Sequence, residues 1–212
     1  MRIKRYVSMT LCLLLIFSSV AIPSAAKKAQ FNKKTAKKNI KATYQVKSEG
    51  ILATYKNKNK YAVKIKMNIK YYDAAGQTVA KEPVVCECLG SKKTMVYFFK
   101  APDDGKGGYI NYNTYKASFS VAKPTYKDST KSVNVITDVQ PTNCKILVQN
   151  LGKKKLSTIN LTLCFYDANG KFIVARNQYI KGMDANTTIE QEVNYSGYTP
   201  PKSVKVYKNW AY

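Results

Sequence analysis

Histidine is absent from the 212 residues, which excludes any mechanism built on an imidazole base, proton shuttle or metal ligand. Acids are scarce, with 12 Asp+Glu against 36 Lys+Arg and a formal net charge of +24. Arginine is nearly missing as well: beyond Arg2 and Arg5 the chain has only Arg176. Guanine is most often read by a bidentate cation, and Lys is a hydrated point charge. The basicity therefore argues against sequence-specific reading of nucleic acid. Past residue 26 no apolar run approaches the ~20 residues that a membrane helix needs, so no membrane span is expected in the mature chain.

What is present fits a small globular protein. A hydrophobic content of 45% with 12% aromatics fills one or two small cores and is too apolar for a wholly disordered chain. Residues 1–26 read as a secretory signal peptide. Arg2, Lys4 and Arg5 form its basic start, an apolar stretch runs from Val7 to Ile22, and Ser24-Ala25-Ala26 supplies small residues for cleavage. An uncleaved anchor would be longer and would not end at Pro23. Cys12 follows Met9-Thr10-Leu11, which is no lipoprotein cleavage motif. The expected location is extracellular, with attachment at the cell surface. Cleavage removes three cations and no acid, taking the net charge from +24 to +21.

Four cysteines remain: Cys86, Cys88, Cys144 and Cys164. In an exported chain they permit up to two disulfides, in three connectivities. Cys86 and Cys88 share a strand face and do not bond readily to each other. Cys144 with Cys164 is the pair to test first, although strand parity sets Cys164 opposite the core residues. Free thiols are the equal alternative. A metal site at Cys86-Glu87-Cys88 would need the two distant sulfurs, and no metal or other cofactor is expected.

Self-similarity organises the chain. Ile65 to Gly76 aligns without a gap on Ile159 to Gly170, an offset of 94 residues that preserves the first Ile and the Tyr, Asp, Ala and Gly of the ending. Tyr55-Lys56-Asn57 parallels Val148-Gln149-Asn150, and Thr94-Met95 parallels Thr188-Ile189. Within each copy the period is two. Ile65, Met67, Ile69 and Tyr71 turn inward against Lys64, Lys66, Asn68, Lys70 and Tyr72. Ile159, Leu161, Leu163 and Phe165 turn inward against Thr158, Asn160, Thr162 and Cys164. Each strand ends in Asp-Ala-x-Gly, a turn whose Asp accepts from backbone amides and whose Gly takes positive φ, and a hairpin follows. Further alternating runs are Met95, Tyr97 and Phe99; Ala117, Phe119 and Val121; Ile189 and Val193; and Val204 and Val206.

No helical period appears after the signal, and the expectation is an all-β protein. Residues 39–122 and 132–212 form two tandem antiparallel sandwich repeats, joined by a linker at 123–131 and preceded by a disordered Lys-rich arm at 27–38. Units this small bury only ~60% of the unfolded chain's surface, so a disulfide or an interface between them would help.

The strand ending resembles the FxLYD domain, a small sandwich module of exported bacterial proteins. The corresponding positions are Ile69-Lys70-Tyr71-Tyr72-Asp73 and Leu163-Cys164-Phe165-Tyr166-Asp167. Both keep Tyr-Asp and replace the Phe and Leu by other apolar residues. The resemblance implies an immunoglobulin-like sandwich and no catalytic residues, and such a fold does not dictate function.

Few constellations suggest chemistry. Asp103-Asp104-Gly105-Lys106-Gly107-Gly108 is the place for a calcium ligand pair or a functional loop, and a flexible turn is the simpler reading. It does not match a phosphate-binding loop. Glu190 and Glu192 share a solvent-facing strand side, available to an acid and base pair but equally explained by exposed alternation. Tyr109, Tyr112, Tyr115, Lys116 and Tyr126 mix aromatics with cations as a stacking platform would, yet Tyr is also a favoured strand residue. Asn160, Asn186 and Asn194 begin N-glycosylation acceptor patterns, relevant only if the source glycosylates.

The functional expectation is a non-catalytic exported module held to an anionic cell-wall or matrix polymer. Its polyanion-binding residues are Lys27, Lys28, Lys33, Lys34, Lys37, Lys38, Lys64, Lys66 and Lys70. The alternative is a protein partner bound through a sheet face or edge. A hydrolase would need a deep cleft with at least two carboxylates.

Overall fold

The computed structural model describes residues 31–212 apart from Gly107 and Ser196. The signal-peptide reading of residues 1–26 and the first two arm lysines, Lys27 and Lys28, lie outside the described residues. Residues 31–212 form one compact unit. Its elements are α1 (Lys33–Lys38), β1 (Ile40–Lys47), β2 (Gly50–Asn57), β3 (Val63–Tyr72), β4 (Thr78–Leu89), β5 (Thr94–Lys100) and β6 (Thr114–Ala122). After a 3-10 turn at Thr130–Ser132 come β7 (Val133–Val139), β8 (Asn143–Asn150), β9 (Leu156–Tyr166), β10 (Phe172–Met183), β11 (Thr188–Asn194) and β12 (Ser203–Ala211).

The fold is all-β, as expected. Four antiparallel three-stranded sheets are ordered β1-β2-β5, β4-β3-β6, β11-β8-β7 and β10-β9-β12. Alternation in β3 produces the first core. Val63, Ile65, Met67, Ile69 and Tyr71 are buried, and they pack with Ile51, Ala53, Tyr55, Met95 and Phe99 from the facing sheet. A second core gathers Ile146 and Val148 of β8 with Ile159, Leu161, Leu163 and Phe165 of β9. The Asp-Ala-x-Gly turns form as expected. Asp73 Oδ1 accepts from Gln77 N–H at 2.8 Å, and Asp167 Oδ1 accepts from Asn169 and Lys171 N–H at 2.9 and 2.8 Å. Gly76 and Gly170 sit at φ +78° and +74°, values that a side chain would strain.

The described part of the Lys-rich arm is not disordered, and the chain does contain a helix. Asn32 caps α1, its Oδ1 accepting from Thr35 N–H at 3.0 Å, and Lys37 and Lys38 fall in the last turn, where cations suit the helix dipole. Six residues are too few to hold a helix in water. Burial of Ala36 in the first core and an edge contact of Phe31 on Tyr61 at 5.8 Å supply the tertiary support.

The largest departure concerns β9. Parity sets Asn160, Thr162 and Cys164 away from the second core as expected, yet all three are fully buried. They face the outer side of β5, whose Val96 and Phe98 form a third apolar cluster with Cys164 and Ala175. The polar members are satisfied there. Asn209 Nδ2 donates to Asn160 Oδ1 at 2.8 Å and to Thr162 Oγ1 at 2.9 Å, and its Oδ1 accepts from Val96 N–H at 3.0 Å. Full satisfaction is what allows polar groups to be buried without a large penalty. β12 extends the junction by inserting Trp210 into the first core, 6.3 Å from the Tyr97 ring.

The structure contains no Cys144–Cys164 bond; Cys86, Cys88, Cys144 and Cys164 are all free and buried. Cys144 lies in the second core and Cys164 in the junction cluster, on opposite sides of a sheet. The junction is an interface of the kind expected as the alternative to a disulfide.

Candidate polyanion-binding surface

The outer side of the β4-β3-β6 sheet remains open, unlike its counterpart on β9. Register sets Lys70 directly opposite Lys81 on β4 and Lys116 on β6, so three lysines stand abreast on adjacent strands. Two residue pairs further along, beyond Asn68, Lys66 stands between Val85 and Ser120. Lys66, Lys81 and Lys116 are exposed and Lys70 is half-buried. Among the described residues none of these four joins an ion pair. Like charges directly opposite one another disfavour the sheet, and an anion laid across the strands removes that repulsion.

Of the lysines expected to form the site, Lys70 belongs to this row and Lys66 to the same sheet face. Lys64 does not serve as a free cation, because its Nζ pairs with Glu87 at 2.6 Å and is largely covered. Lys33, Lys34, Lys37 and Lys38 are exposed on α1, where Lys37 Nζ stands 5.5 Å from the Phe119 ring of β6. Sequence reasoning missed Lys81 and grouped Lys116 with the tyrosines around it, not with Lys66 and Lys70. Parity marks them as outward, but only the strand register shows that they flank Lys70.

The other candidate constellations resolve into structure. Asp103 Oδ1 accepts from Gly105 N–H at 3.1 Å, and Asp104 Oδ1 accepts from Lys106 and Gly108 N–H at 2.8 and 2.9 Å. These carboxylates close their own turn. The Gly105 amide and then Lys100, at 3.3 Å, hold the Asp103 carboxyl below its ordinary range. Burial, followed by the nearby Asp103 charge, raises the Glu82 carboxyl. Among the described residues no group of three acids and thiols has the arrangement of a metal site.

Tyr112 and Tyr115 pack against the first core, Tyr112 lying 4.8 Å from the Tyr71 ring. Tyr126 stacks on Tyr212 at 4.1 Å. Glu190 and Glu192 are exposed on β11. Asp138 and Glu190 line a depression of about 190 Å³, below the usual ~300 Å³ floor for ligand pockets. Asn160 is fully buried at the junction, which closes that acceptor to glycosylation. No helix among the described residues is long and apolar enough to cross a membrane.

Arg176, the single arginine after Arg5, is a junction residue. Its Nη1 pairs with Glu49 Oε2 at 2.9 Å, its Nε donates to Asn194 O at 3.3 Å, and its guanidinium lies 5.5 Å from the Tyr198 ring. A planar fork reaches several partners at once where an ammonium would not.

No protein-family model matches the sequence, and no curated protein matches it either. Among solved structures, the chain is similar to a red sea bream transglutaminase at a TM-score of 0.27 and 8% identity, covering 87% of this chain and 31% of that one. It is similar to a glycosyl hydrolase family 2 member from Bacteroides cellulosilyticus DSM 14838 at a TM-score of 0.22 and 11% identity, covering 72% of this chain and 24% of that one. The chain thus spans less than a third of either relative.

Proposed function

We propose that the protein is a non-catalytic, exported binding module that attaches electrostatically to an anionic cell-wall or matrix polymer. The observation that carries this reading is the row Lys81, Lys70 and Lys116 across three adjacent strands, with Lys66 on the same face and, among the described residues, no acid paired to any of them. A flat row of ammonium groups suits a flexible chain of regularly spaced negative charges, because Lys imposes little directional demand. The four exposed lysines of α1 add charge near β6, the strand that carries Lys116. Free acids or cofactors are not needed for such a role, and an enzymatic reading gains nothing from the small depression beside Glu190.

The test uses long-chain polyphosphate and duplex DNA as separate probes. Binding of both should weaken steeply with salt, and replacing Lys66, Lys70, Lys81 and Lys116 by Gln should flatten the salt dependence by up to about one logarithmic unit per lysine that contacts phosphate. Tighter binding of polyphosphate than of DNA favours a wall-type polymer over extracellular nucleic acid. Binding by the four-Gln variant that matches wild type at every salt concentration would overturn the assignment to this surface.

A further inference from the structure

The junction between the two halves repeats itself, unfilled, at the two ends of the molecule. In the filled junction Val96 and Phe98 of β5 meet Cys164 of β9 and Ala175 of β10, and Cys164 and Ala175 are themselves cross-strand partners. The 94-residue offset carries each of these positions onto an open face. Val96 and Phe98 become Glu190 and Glu192 of β11, both exposed. Cys164 and Ala175 become Lys70 and Lys81, again cross-strand partners. Asn160 becomes Lys66.

The two open faces are thus complementary at equivalent positions. Where the filled junction sets apolar against apolar, the free ends set acid against lysine. The β11-β8-β7 face carries Asp138 beside Glu190 and Glu192, with Lys145 as its only cation in those rows. It also exposes Ile136 and Leu147, 49% and 36% accessible. The β4-β3-β6 face offers Lys66, Lys70 and Lys81, with Val85 at 38%. Three of the chain's 12 acids therefore lie on the one face whose internal counterpart already docks on a sheet.

We propose that copies of this chain associate head to tail, the β11 face of one docking on the β3–β4 face of the next as β5 docks on β9–β10 within the chain. Glu192 meets Lys70 and Lys81, and Glu190 meets Lys66. The contact is heterologous, leaving one face of each kind free at the ends, so it propagates as a chain unless its rotation closes a ring. Pro83 occupies the position of the junction's Asn177, which removes an amide that grips β5 within the chain. Exposed ion pairs are individually weak and screened by salt. The association is therefore reversible and salt-sensitive. It does not rest on polymer binding, since Glu190 and Glu192 play no part in that.

Sedimentation of the chain from Lys27 onward tests the proposal. The wild-type mass should rise with concentration at about 0.01 M salt and return to that of a monomer at about 1 M. The variants E190K/E192K and K70E/K81E should each stay monomeric, and an equimolar mixture of the two should regain association, because opposite faces are again complementary. Both variants keep a large positive net charge, so the mixture is not drawn together by net charge. E190Q/E192Q gives the same loss should a charge-reversed chain fail to fold. A wild type that stays monomeric at low salt, variants that associate like wild type, or a mixture that stays monomeric would each overturn the proposal. E190Q/E192Q should still bind polyphosphate, which separates this outcome from a failure of the polymer reading.

Discussion

The side-chain amide of Asn177 grips both backbone groups of Phe98: its Oδ1 accepts from Phe98 N–H at 3.2 Å and its Nδ2 donates to Phe98 O at 2.6 Å. Asn177 on β10 thereby does for the free edge of β5 what another strand would do. An open edge is a template for pairing with other chains, and here side chains from the second half close it. Asn209 continues the role one residue pair away by accepting from Val96 N–H.

Replacing Asn177 by Ala should therefore destabilise the chain by about 2–4 kcal/mol. The substitution leaves two backbone groups of Phe98 unpaired at a cost of about 1–3 kcal/mol each, partly offset where water enters. The loss should concentrate at the junction. Thermal unfolding followed by Trp210 fluorescence should shift to lower temperature than the unfolding of strands remote from it. Unchanged unfolding would mean that the amide grip is incidental.

Asn57 and Asn150 occupy equivalent places and make equivalent bonds. Asn57 Nδ2 donates to the carbonyls of Tyr61, Leu89 and Gly90, and Asn150 Nδ2 to those of Lys154, Met183 and Asp184. Each Oδ1 accepts from an amide two residues on, of Asn59 or Gly152. One side chain thus ties together two loops in each half. Asn57→Ala and Asn150→Ala should each cost about 2–4 kcal/mol, by nearly the same amount in chemical denaturation. Asp at either position should also fail, because a carboxylate cannot donate to the three carbonyls.

Parity in the sequence was sufficient for β3 and misleading for β9, although the two strands share a pattern. Both turn the residues between their core positions to the opposite face, and nothing local distinguishes an opposite face in water from one against another sheet. Asn160 and Thr162 are polar, the usual mark of exposure. Their partners lie far along the chain, with Val96 and Asn209 separated by 113 residues. The legible signal lay elsewhere, in the unbroken run Met95-Val96-Tyr97-Phe98-Phe99. Five bulky residues without alternation mark a strand covered on both sides, and β5 is buried throughout that run. Asn32 before the lysine run of α1 was a cap signal, overshadowed by charge. For the lysine surface, parity identified Lys66 and Lys70, whereas Lys81 and Lys116 joined them only through register, which no single strand encodes.

Arg176→Lys should not behave as a conservative change. Lysine retains one charge for Glu49 but loses the second donor to Asn194 O and the planar contact with Tyr198. The pair with Glu49 is about a quarter accessible, so its own share is held to about 1 kcal/mol. The substitution should cost about 1–2 kcal/mol in total, with the excess over the pair surviving in a Glu49→Gln background. A double-mutant cycle reads that excess directly, and a cycle in which Lys loses nothing beyond the Glu49 coupling would assign Arg176 to charge alone.

The free thiols predict how the fold responds to alkali. Burial raises Cys144 and Cys164 from 9.0 to about 11 and Cys88 to about 12, and it raises the Tyr166 phenol from 10.0 to about 12. Each group holds its proton more tightly in the folded state. Their contribution to stability is therefore complete below about pH 9 and declines as pH rises toward 11–12, because the unfolded chain releases protons first. At pH 8 none of the four thiols should react with a thiolate-directed reagent in the folded chain, whereas all four should react in denaturant. Urea midpoints should stay level from pH 7 to pH 9 and fall between pH 9 and pH 11. In Cys164→Ser, which titrates nowhere in that window, the decline should be shallower; a decline as steep as wild type would show that Cys164 is not among the groups responsible.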